Sequence, residues 1–474
     1  MRSIQPDHRR RATVRVQLRP CVALALLVLT SCSSVLDWLG GKQLKPEYCE
    51  QHPSFPDCHQ SPDAAIDADP RCRSNAACMA PTGVCDLSGS MMCVQCLAPD
   101  QTDACTAMTP TCGADHACHP CSKHSDCTLS HACMPDGSCA PVDQVAYVDP
   151  LLGGDSGGGC SLNAPCKLIM DALKKARPVL KLTGMSDEQV LVKDQAVTML
   201  ADPGTQLTRT SSPGIIMTID GTSVVQIVDL TIAGGLGSTG SGISLPLGNG
   251  ASLSLLRARL RNNAGGGLAA TGSVVTISQS TISGNTGGIT TTGGSTTISR
   301  SLVTNNTQSG ISVSGSQFDI TNSIVAGNGG AQTAFGGVRF DQTNSGLRKF
   351  EFNTVTNNVA ADGAAVGVVC TLVTQPVTLS NNIIHSNQVG GTRTQVGGLN
   401  CNWSFSDIGP DTVVNTGNIN MDPIFVNPSQ GDFHLQSTSP VKDKADPGAT
   451  TNVDIDGDAR PQGSGFDMGA DEIK

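Results

Sequence analysis

The amino-acid sequence predicts an all-β chain whose main body is a right-handed parallel β-helix, preceded by a disulfide-rich module and an acylated N-terminus. Three observations support this prediction. They are an N-terminus that is basic, then apolar, and ends at a cysteine; a block of twelve closely spaced cysteines; and a repeat of apolar and asparagine positions in the second half of the chain. These features divide the 474 residues into segments at 1–31, 32–70, 71–140, 141–440 and 441–474.

The N-terminus has the pattern of an export signal. Residues 1–20 contain six arginines and one acid, and the apolar run 21–29 is too short for a membrane-spanning helix, which needs about 20 residues. The exit, Leu29-Thr30-Ser31-Cys32, resembles a bacterial lipobox. The resemblance implies that Cys32 is acylated and holds the mature protein on a membrane through lipid. An ordinary signal peptide with a chance cysteine is the alternative.

The charge of the mature chain limits its partners. The whole chain has a net charge of −10, and removal of residues 1–31 would leave 24 basic and 39 acidic residues, a net charge of about −15. Nucleic acid is therefore not an expected partner, because it requires a basic footprint. Ser33 rather than an aspartate follows Cys32, and in lipoproteins of this type that implies the outer membrane. We expect a surface-exposed protein that meets a membrane through its lipid and binds a polysaccharide or another cell-surface glycan.

Cysteines dominate the next two segments. Cys49 and Cys58 would close a small loop in the polar linker that ends near residue 70. Residues 71–140 contain three groups of four cysteines with a period of about 25 residues, which is an internal repeat. The groups are Cys72, Cys78, Cys85 and Cys93; Cys96, Cys105, Cys112 and Cys118; and Cys121, Cys127, Cys133 and Cys139.

Export predicts that these twelve cysteines form six disulfides, with the pairing left open. Zinc is the alternative, because Cys93-Val-Gln-Cys96 and Cys118-His-Pro-Cys121 have ligand spacing and histidines lie nearby. The module resembles small EGF-like or Dickkopf-like cysteine-rich knots. That resemblance implies a spacer or a binding surface and no catalytic role.

From about residue 145 the composition changes to Gly, Ser, Thr, Asn and β-branched residues, and a repeat of some 22 residues is aligned from Ile227 onward. An apolar anchor is followed five residues later by a second apolar residue, and three residues after that by asparagine in six of seven copies. The first anchors are Ile227, Leu255, Ile277, Ile298, Ile320, Phe350 and Leu379. The asparagines are Asn263, Asn285, Asn306, Asn328, Asn358 and Asn387.

Each copy predicts two short strands, a bend at the asparagine and a third strand. Asparagine and glycine tolerate the left-handed backbone of such a bend, and stacked coils would place the asparagines in a hydrogen-bonded ladder. The period is too short for a helix in each crossover, which leaves a β-solenoid. Parallel crossovers of this kind are right-handed.

The ends and the remaining cysteines complete this prediction. Residues 165–176 have helical periodicity and would cap the first coil, whose strand edges are otherwise unpaired. Cys160 would pair with Cys166, and Cys370 with Cys401, so all eighteen cysteines after Cys32 have partners.

Two further segments carry a family resemblance. The start Tyr147-Val-Asp-Pro150 to Ala164-Pro-Cys-Lys167 resembles the beginning of pectate-lyase-like right-handed β-helix proteins. The end, from Asn418-Ile-Asn-Met-Asp-Pro423 to Phe466-Asp-Met-Gly-Ala-Asp-Glu472, resembles bacterial surface β-helix proteins of the choice-of-anchor Q type. The resemblance covers residues 145–474 and implies a fold more specifically than an activity.

The last three coils carry extra residues after the asparagine bend, at 329–337, 359–365 and 388–398. Such insertions on one edge of a solenoid predict a cleft there. Related enzymes cleave acidic polysaccharides with calcium-bound carboxylates and a basic residue, or with clustered aspartates. Their motifs are not found in this region, so a solvated rim is the alternative for its charges. The candidate catalytic residues are Asp341, Asp362, His385 and Arg393.

Asp454-Ile-Asp456-Gly-Asp458 has the alternating carboxylates of a calcium loop, but the alternative of an acidic surface turn is favoured, because the glycine and distal glutamate of an EF-hand are not in place. No other cofactor is expected. Aromatic residues make up only 3% of the chain, which disfavours long sugar-stacking subsites. The leading hypothesis is a non-catalytic, glycan-binding β-helix rod on a disulfide-stiffened stalk. The alternative is a surface-displayed polysaccharide lyase or glycoside hydrolase.

Overall fold

A computed structural model describes residues 72–78, 83–87, 89–97, 105–154, 158–246, 250–341, 346–361, 366–371, 376–389, 395–411 and 413–474. The predictions for Cys32, Cys49, Cys58, Asp362 and Arg393 lie outside these residues. The chain forms two compact units, one that ends at Val94 and one from Gln95 to Lys474.

The first unit contains the first cysteine group. Strands β1 (Val84–Cys85) and β2 (Cys93–Val94) form an antiparallel hairpin after a 3-10 helix at Asn75–Ala77. Disulfides join Cys72 to Cys85 and Cys78 to Cys93. The pairing is therefore first to third and second to fourth.

The second unit begins with the other two cysteine groups, which repeat this pairing. Its first hairpin consists of β3 (Thr111–Cys112) and β4 (Cys118–His119), and 3-10 helices follow at His124–Asp126 and Val142–Gln144. The disulfides are Cys96–Cys112, Cys105–Cys118, Cys121–Cys133 and Cys127–Cys139. The twelve thiols are thus bonded to one another, which favours the disulfide prediction over zinc.

The rest of the second unit is a right-handed parallel β-helix with three sheets, and each coil passes through sheets 1, 2 and 3 in turn. Among the described residues, sheet 1 contains β5 (Val145–Val148), β6 (Val179–Leu182), β9 (Ala196–Ala201), β12 (Val224–Val228), β15 (Ser252–Leu256), β18 (Val274–Ser278), β21 (Ser295–Ser299), β24 (Gln317–Thr321), β27 (Arg348–Glu351), β31 (Val377–Ser380) and β35 (Cys401–Ser404). Sheet 2 contains β7 (Met185–Asp187), β10 (Gln206–Thr208), β13 (Thr231–Ala233), β16 (Arg259–Arg261), β19 (Thr281–Ser283), β22 (Leu302–Thr304), β25 (Ile324–Ala326), β28 (Thr354–Thr356), β32 (Ile383–His385) and β36 (Asp407–Gly409). Sheet 3 contains β8 (Val190–Lys193), β11 (Met217–Asp220), β14 (Ser241–Leu245), β17 (Gly266–Thr271), β20 (Gly287–Thr292), β23 (Ser309–Ser314), β26 (Val338–Asp341), β30 (Val368–Thr371) and β34 (Val396–Gly398). A short fourth pairing joins β29 (Val359–Ala360) to β33 (Gln388–Val389).

The apolar anchors of the repeat stack in register inside the solenoid. Ile227 pairs with Leu255, Leu255 with Ile277, and Ile277 with Ile298 on successive strands of sheet 1, and all are fully buried. This stack, continued from sheets 2 and 3, forms one core along the solenoid. Burial of this apolar surface is the main favourable free-energy term that holds the coils together.

The six repeat asparagines lie in one buried column at the corner between sheets 2 and 3. Each amide donates to the carboxamide oxygen of the next, as in Asn263 Nδ2 to Asn285 Oδ1 at 2.9 Å, and the column ends at Gln395. The left-handed residue of the bend is not the asparagine but the residue before it, for example Asn262 with φ 54° and Gly284 with φ 65°. The ladder asparagine instead uses its side chain to satisfy backbone groups inside the corner.

A second polar column, which the repeat did not predict, occupies the corner between sheets 1 and 2. Its members are Ser280, Ser301, Ser323, Asn353, Asn382 and Ser406, all buried. Each side-chain oxygen accepts from the backbone N–H of the preceding member, as in Ser280 to Ser301 at 3.1 Å and Asn353 to Asn382 at 2.9 Å. The repeat did not reveal this column, because either serine or asparagine can occupy the position.

The helix predicted at 165–176 is shorter than expected. It is α1 (Ile169–Leu173), and Glu188 accepts the N–H groups of Ile169 and Met170 at its start. Ala176 has a positive φ of 52°, which ends the helical path. Disulfide Cys160–Cys166 precedes it, and Cys370–Cys401 joins β30 to β35. None of the helices in the described ranges is both long and apolar enough to cross a membrane.

The C-terminal segment folds back onto the outer face of sheet 2, and it does so earlier than the predicted boundary at 441. It includes β37 (Phe425–Asn427), a 3-10 helix at Pro428–Gln430 and β38 (Asp432–Leu435). Phe425, Phe433 and Met468 pack with Ile324 and Ile383 of sheet 2. A buried ion pair, Arg460 Nη1 to Glu472 Oε2 at 2.8 Å, fixes the end of this segment.

Candidate functional site: an arginine groove

Two segments of the chain flank part of the outer face of sheet 2. The third cysteine group packs through Ala132 and Ala140 on Tyr147, Leu200 and Val228, which lie on strands of sheet 1. The C-terminal segment covers sheet 2 from Ile324 onward. Strands β16, β19 and β22 of sheet 2 contribute residues to the surface beside these two segments.

This surface forms two adjoining depressions that share Asp229, Arg257 and Arg259. The first, of about 960 Å³, is bounded by residues 120–125 and 133–137 of the third cysteine group. The second, of about 500 Å³, is bounded by His434 and Asp456 of the C-terminal segment. We call the two together the arginine groove.

Strand β16 gives the groove its charge. Its side chains alternate, so that Arg259 and Arg261 are exposed while Leu260 between them is buried. Arg257 precedes the strand at the corner and has a φ of 52°, a backbone conformation that is uncommon for a long side chain. Three arginines therefore point outward from one short segment of an otherwise acidic chain.

The residues beside these arginines carry no charge. On the neighbouring strands Arg259 pairs with Thr231 and Thr281. In the same way, Arg261 pairs with Ala233 and Ser283. Small side chains leave the guanidinium groups accessible, and the hydroxyl groups add hydrogen-bonding partners for a polar ligand.

Arg257 is held in place by Asp229, the residue at the same corner of the preceding coil. Nε and Nη2 of Arg257 donate to the two carboxylate oxygens of Asp229, each at 2.8 Å. This bidentate pair raises the pKa of Arg257 despite its partial burial. The pair fixes the corner of the groove.

At the first wall, His124 links the third cysteine group to the β-helix. Its Nδ1 accepts the backbone N–H of Cys133 at 3.1 Å, and the ring also bonds the backbone of Ala201. Burial and the nearby Lys181 ammonium lower the pKa of His124. Lys181 is itself buried and paired with Asp202. A neutral imidazole is therefore part of this wall.

At the second wall, His434 lies between two carboxylates. Nδ1 faces Asp432 at 2.6 Å and Nε2 faces Asp456 at 2.9 Å. Burial opposes the charged form, but the hydrogen bonds to Asp432 and Asp456 and the charge of Asp471 raise the pKa of His434. Both ring nitrogens donate when the imidazole is protonated.

Four carboxylates in the described lining of the groove have close partners. Asp202 pairs with Lys181, Asp229 with Arg257, and Asp456 with His434. Asp136 accepts the hydroxyl of Ser138 at 2.7 Å. An acid–base catalyst must reach the reacting group, and these carboxylates are held by residues of the chain itself.

Of the four predicted catalytic residues, the structure describes Asp341 and His385, and it places them on different sheets. Asp341 lies on β26 of sheet 3, where it accepts from Arg339 Nη2 at 2.9 Å. His385 lies on β32 of sheet 2, with Nδ1 at 2.7 Å from the Ser386 hydroxyl. Because the two residues lie on different sheets of the solenoid, they do not form one site.

The extra residues on the late coils form a different surface. Thr307, Gln308, Ser309 and residues 330–335 line a depression of about 670 Å³, and none of them is ionisable. The prediction that this edge holds a charged cleft is not supported within the described residues. The two depressions of the arginine groove lie at the opposite edge of sheet 2.

The three carboxylates of the predicted calcium loop bind other groups of the protein. Asp454 is buried, and one of its oxygens accepts the N–H groups of residues 456, 457 and 458 at 2.8–3.0 Å. Asp456 pairs with His434, and Asp458 with Lys474 at 2.7 Å. This arrangement fits the acidic turn that was the alternative.

Charged residues also meet on the outer face of sheet 1. Lys349 pairs in register with Asp319 on the neighbouring strand and lies 3.4 Å from the Glu351 carboxylate. One oxygen of Asp319 is buried and has no hydrogen-bond partner in the structure. Asp319, Lys349 and Glu351 were not among the candidate site residues predicted from the sequence.

Comparison with a protein-family model supports the β-helix fold. A family model described as "Right handed beta helix region" matches residues 213–346. Among solved structures, the chain is similar to the "Crystal structure of pectate lyase Pel9A", with 14% sequence identity and a TM-score of 0.41. That similarity covers 70% of this chain and 96% of the other. No curated protein matches the chain. The matched segment contains β11 to β26, so strands β16, β19 and β22 beside the arginine groove belong to a right-handed β-helix region.

Proposed function

We propose that this chain is an exported, lipid-anchored surface protein whose β-helix binds an acidic glycan in the arginine groove without cleaving it. The observation that supports the proposal most directly is the presence of Arg257, Arg259 and Arg300 in the lining of one groove, with Arg261 exposed beside it on β16. Guanidinium groups bind carboxylate and sulfate oxygens through paired hydrogen bonds.

The charge distribution favours an anionic ligand. The chain has a net charge of −10, so non-specific attraction of polyanions to the whole surface is weak. A cluster of arginines on such a surface creates a local site rather than a general basic footprint. Neighbouring hydroxyl groups, such as those of Thr281 and Ser283, suit the hydroxyl-rich surface of a sugar.

The non-catalytic part of the proposal rests on the carboxylates of the groove. Each of Asp202, Asp229 and Asp456 is neutralised by a basic side chain. A glycosidase needs two carboxyl groups at a defined separation, of which one changes its protonation state during the reaction. Carboxylates held in ion pairs are poor candidates for that role.

The cellular part of the proposal rests on the sequence. The lipobox-like Leu29-Thr30-Ser31-Cys32 supports acylation at Cys32 and attachment to the outer membrane. The three cysteine groups, each with the same pairing, support a stiffened stalk in an oxidising compartment. The ligand would then belong to the outside of the cell.

One experiment distinguishes binding from cleavage. It uses a variant that begins at residue 32 and carries Cys32→Ser, so that it is not acylated. Calorimetry against polygalacturonate, alginate and a neutral glucan is combined with detection of unsaturated products and new reducing ends. We expect saturable binding of the acidic polymers and no product. Product formation would overturn the non-catalytic part, and equal or absent binding of all three polymers would overturn the acidic-glycan part.

Localisation is tested on intact cells. External protease should remove the cysteine-rich segment from the wild type, and Cys32→Ala should lose membrane attachment. Protection of the wild type from external protease would show that the protein faces the periplasm, which would contradict a surface role.

A second candidate function, a polysaccharide lyase or hydrolase, is favoured by the charges on sheet 1. Lys349 lies between Asp319 and Glu351, and an unpartnered buried carboxylate oxygen is typical of a reactive group. If products appear in the assay above, Lys349→Gln should abolish them while Arg259→Gln should not.

A further inference from the structure

The C-terminal segment brings together a histidine and two aspartates that neither the glycan proposal nor the calcium-loop prediction uses as a set. A ring nitrogen of His434 and carboxylate oxygens of Asp456 and Asp471 all lie within 4.8 Å of one another. His434 belongs to β38, Asp456 to the turn at 454–458, and Asp471 to the last residues of the chain. Three parts of the segment that are distant in sequence therefore meet at one point.

The separation between two of these side chains suits a bound metal ion. Nε2 of His434 is 2.9 Å from an oxygen of Asp456. Two ligand atoms that each bind one ion at about 2.1 Å, with a right angle between the bonds, are about 3 Å apart. An ion can therefore take the place of the proton between His434 and Asp456 with only a small movement of either side chain.

Asp432 holds the imidazole in the orientation that such a site requires. Nδ1 of His434 lies 2.6 Å from the Asp432 carboxylate. A histidine that binds a metal through one ring nitrogen usually donates the hydrogen of the other to a carboxylate or a carbonyl, which fixes the ring and its tautomer. With the Nδ1 hydrogen directed at Asp432, the lone pair of Nε2 is directed at Asp456. Asp432 is therefore a positioning residue.

Asp471 points independently to a cation. It is only 8% exposed, and one of its oxygens accepts the backbone N–H of Leu435 at 2.7 Å. Within the described ranges, none of the ion pairs includes Asp471. Burial and the charges of Asp454 and Asp456 raise the pKa of this carboxyl, although His434 opposes the shift. A buried carboxylate beside like charges is costly unless a cation lies next to it.

The neighbouring basic side chains bind other groups. Lys474 pairs with Asp458 at 2.7 Å, and Arg460 pairs with Glu472 at 2.8 Å. The carboxylate of Asp471 therefore shares the charge of one imidazole with the other aspartates around it. A divalent ion in place of the Nε2 proton adds one further positive charge at this point.

We infer that His434, Asp456 and Asp471 bind a divalent transition-metal ion, which links three parts of the C-terminal segment. One imidazole and two carboxylates suit an ion that accepts both nitrogen and oxygen ligands, such as Mn²⁺. When the ion binds, Nε2 loses its proton to solvent and its lone pair forms the bond to the metal. His434 and Asp456 also line the second depression, so the ion reaches them from solvent. The site is independent of the proposed function, because it does not require a glycan.

Electron paramagnetic resonance measures the binding of Mn²⁺, because the signal of the free ion decreases when the ion is bound. The protein is the variant that begins at residue 32 and carries Cys32→Ser, made without a histidine tag and freed of metal with a chelator. We expect saturable binding at one site per chain. His434→Gln and Asp456→Asn should each weaken it at least about tenfold, and Asp432→Asn about tenfold with the same stoichiometry. Unchanged binding in His434→Gln would overturn the inference.

Asp458→Asn is the matched control, because it removes a carboxylate of the same turn that pairs with Lys474 instead. This variant should bind Mn²⁺ within twofold of the parent protein. Weaker binding in Asp458→Asn together with normal binding in His434→Gln would place the ion in the carboxylate loop and contradict the inference. An excess of Mg²⁺ should not displace Mn²⁺, since Mg²⁺ prefers oxygen ligands. Displacement would show general attraction to acidic groups and would also overturn it.

Thermal unfolding tests whether the ion links the parts of the segment. An ion that binds only the folded protein stabilises it, so Mn²⁺ should raise the melting temperature of the parent protein and leave that of His434→Gln unchanged. Equal melting temperatures with and without Mn²⁺ in the parent, at concentrations where resonance shows binding, would contradict the link. Circular dichroism of the metal-free proteins confirms that the variants are folded. Asp456 is exposed, so its replacement by asparagine leaves a folded variant for this comparison.

Discussion

Asn285 and Asn306 occupy the same corner of successive coils, and the Nδ2 of Asn285 donates to the Oδ1 of Asn306 at 3.0 Å. The same oxygen accepts the backbone N–H of Asn285 at 3.0 Å, and Asn306 Nδ2 donates to the carbonyl of Ile282 at 3.1 Å. Each ladder asparagine therefore joins two coils through its side chain. Because both residues are fully buried, these bonds have no water to replace them.

Replacement of Asn306 by alanine should destabilise the β-helix. The change leaves buried donors and acceptors on both neighbouring coils without partners, which costs about 3 kcal/mol. Urea unfolding followed by circular dichroism measures the loss. Thr307→Ala, at the exposed next position, should change the free energy of unfolding by less than about 0.5 kcal/mol. Equal effects of the two variants would contradict a structural role for the ladder.

Burial of Asp407 should make stability fall as the pH rises. Desolvation raises the pKa of this carboxyl to about 7 from a usual value of 3.8, and one of its oxygens has no partner. The stabilising proton is present at low pH and is lost as the pH rises through about 7. Asp407→Asn should therefore gain melting temperature relative to the wild type as the pH increases from 4 to 8. A difference that does not change with pH would contradict this assignment.

His124 should have the opposite pH dependence. Its lowered pKa means that the folded protein holds the neutral imidazole, whose Nδ1 accepts the Cys133 N–H. The stability from this contact is present above the usual histidine value of 6.5 and is lost as the pH falls through the lowered value. Thermal unfolding between pH 7.5 and 5 should show a fall in the melting temperature of the wild type. His124→Gln should show no such loss.

The cysteine groups should all show the same linkage. Peptide mapping without reduction should recover Cys72–Cys85 and Cys78–Cys93, and the equivalent pairs in the second and third groups. A first-to-second linkage in any group, or bound zinc in the protein as isolated, would contradict the structure. The double variant Cys370→Ser with Cys401→Ser should cost about 2–5 kcal/mol, since it removes a link between late coils.

The β-helix could be predicted because its signal is repeated. Ile227, Leu255 and Ile277 pair in register because the spacing of apolar residues fixes which side of each strand faces the core. The asparagine column followed from the same spacing. The bend was assigned one residue too late, since the sequence does not distinguish a left-handed residue from the side chain that stabilises it.

The candidate site could not be predicted in the same way. Arg257, Arg259 and Arg261 are close in sequence, but their exposure depends on where two distant segments pack beside them. Those segments contact residues that are up to about 150 positions away in the sequence, and the repeat contains no information on these contacts. The predicted residues Asp341 and His385 were grouped by coil number, whereas the sheet on which a side chain lies decides its neighbours.

The most direct test of the account is the dissociation constant for polygalacturonate, measured for the Cys32→Ser chain with Arg259→Gln beside Lys175→Gln at one salt concentration. Both substitutions remove one positive charge from an exposed position, but only Arg259 lies in the groove. The account predicts that Arg259→Gln raises the dissociation constant about tenfold and that Lys175→Gln leaves it within twofold of the starting value. Equal effects of the two substitutions would show that the arginine groove is not the binding site.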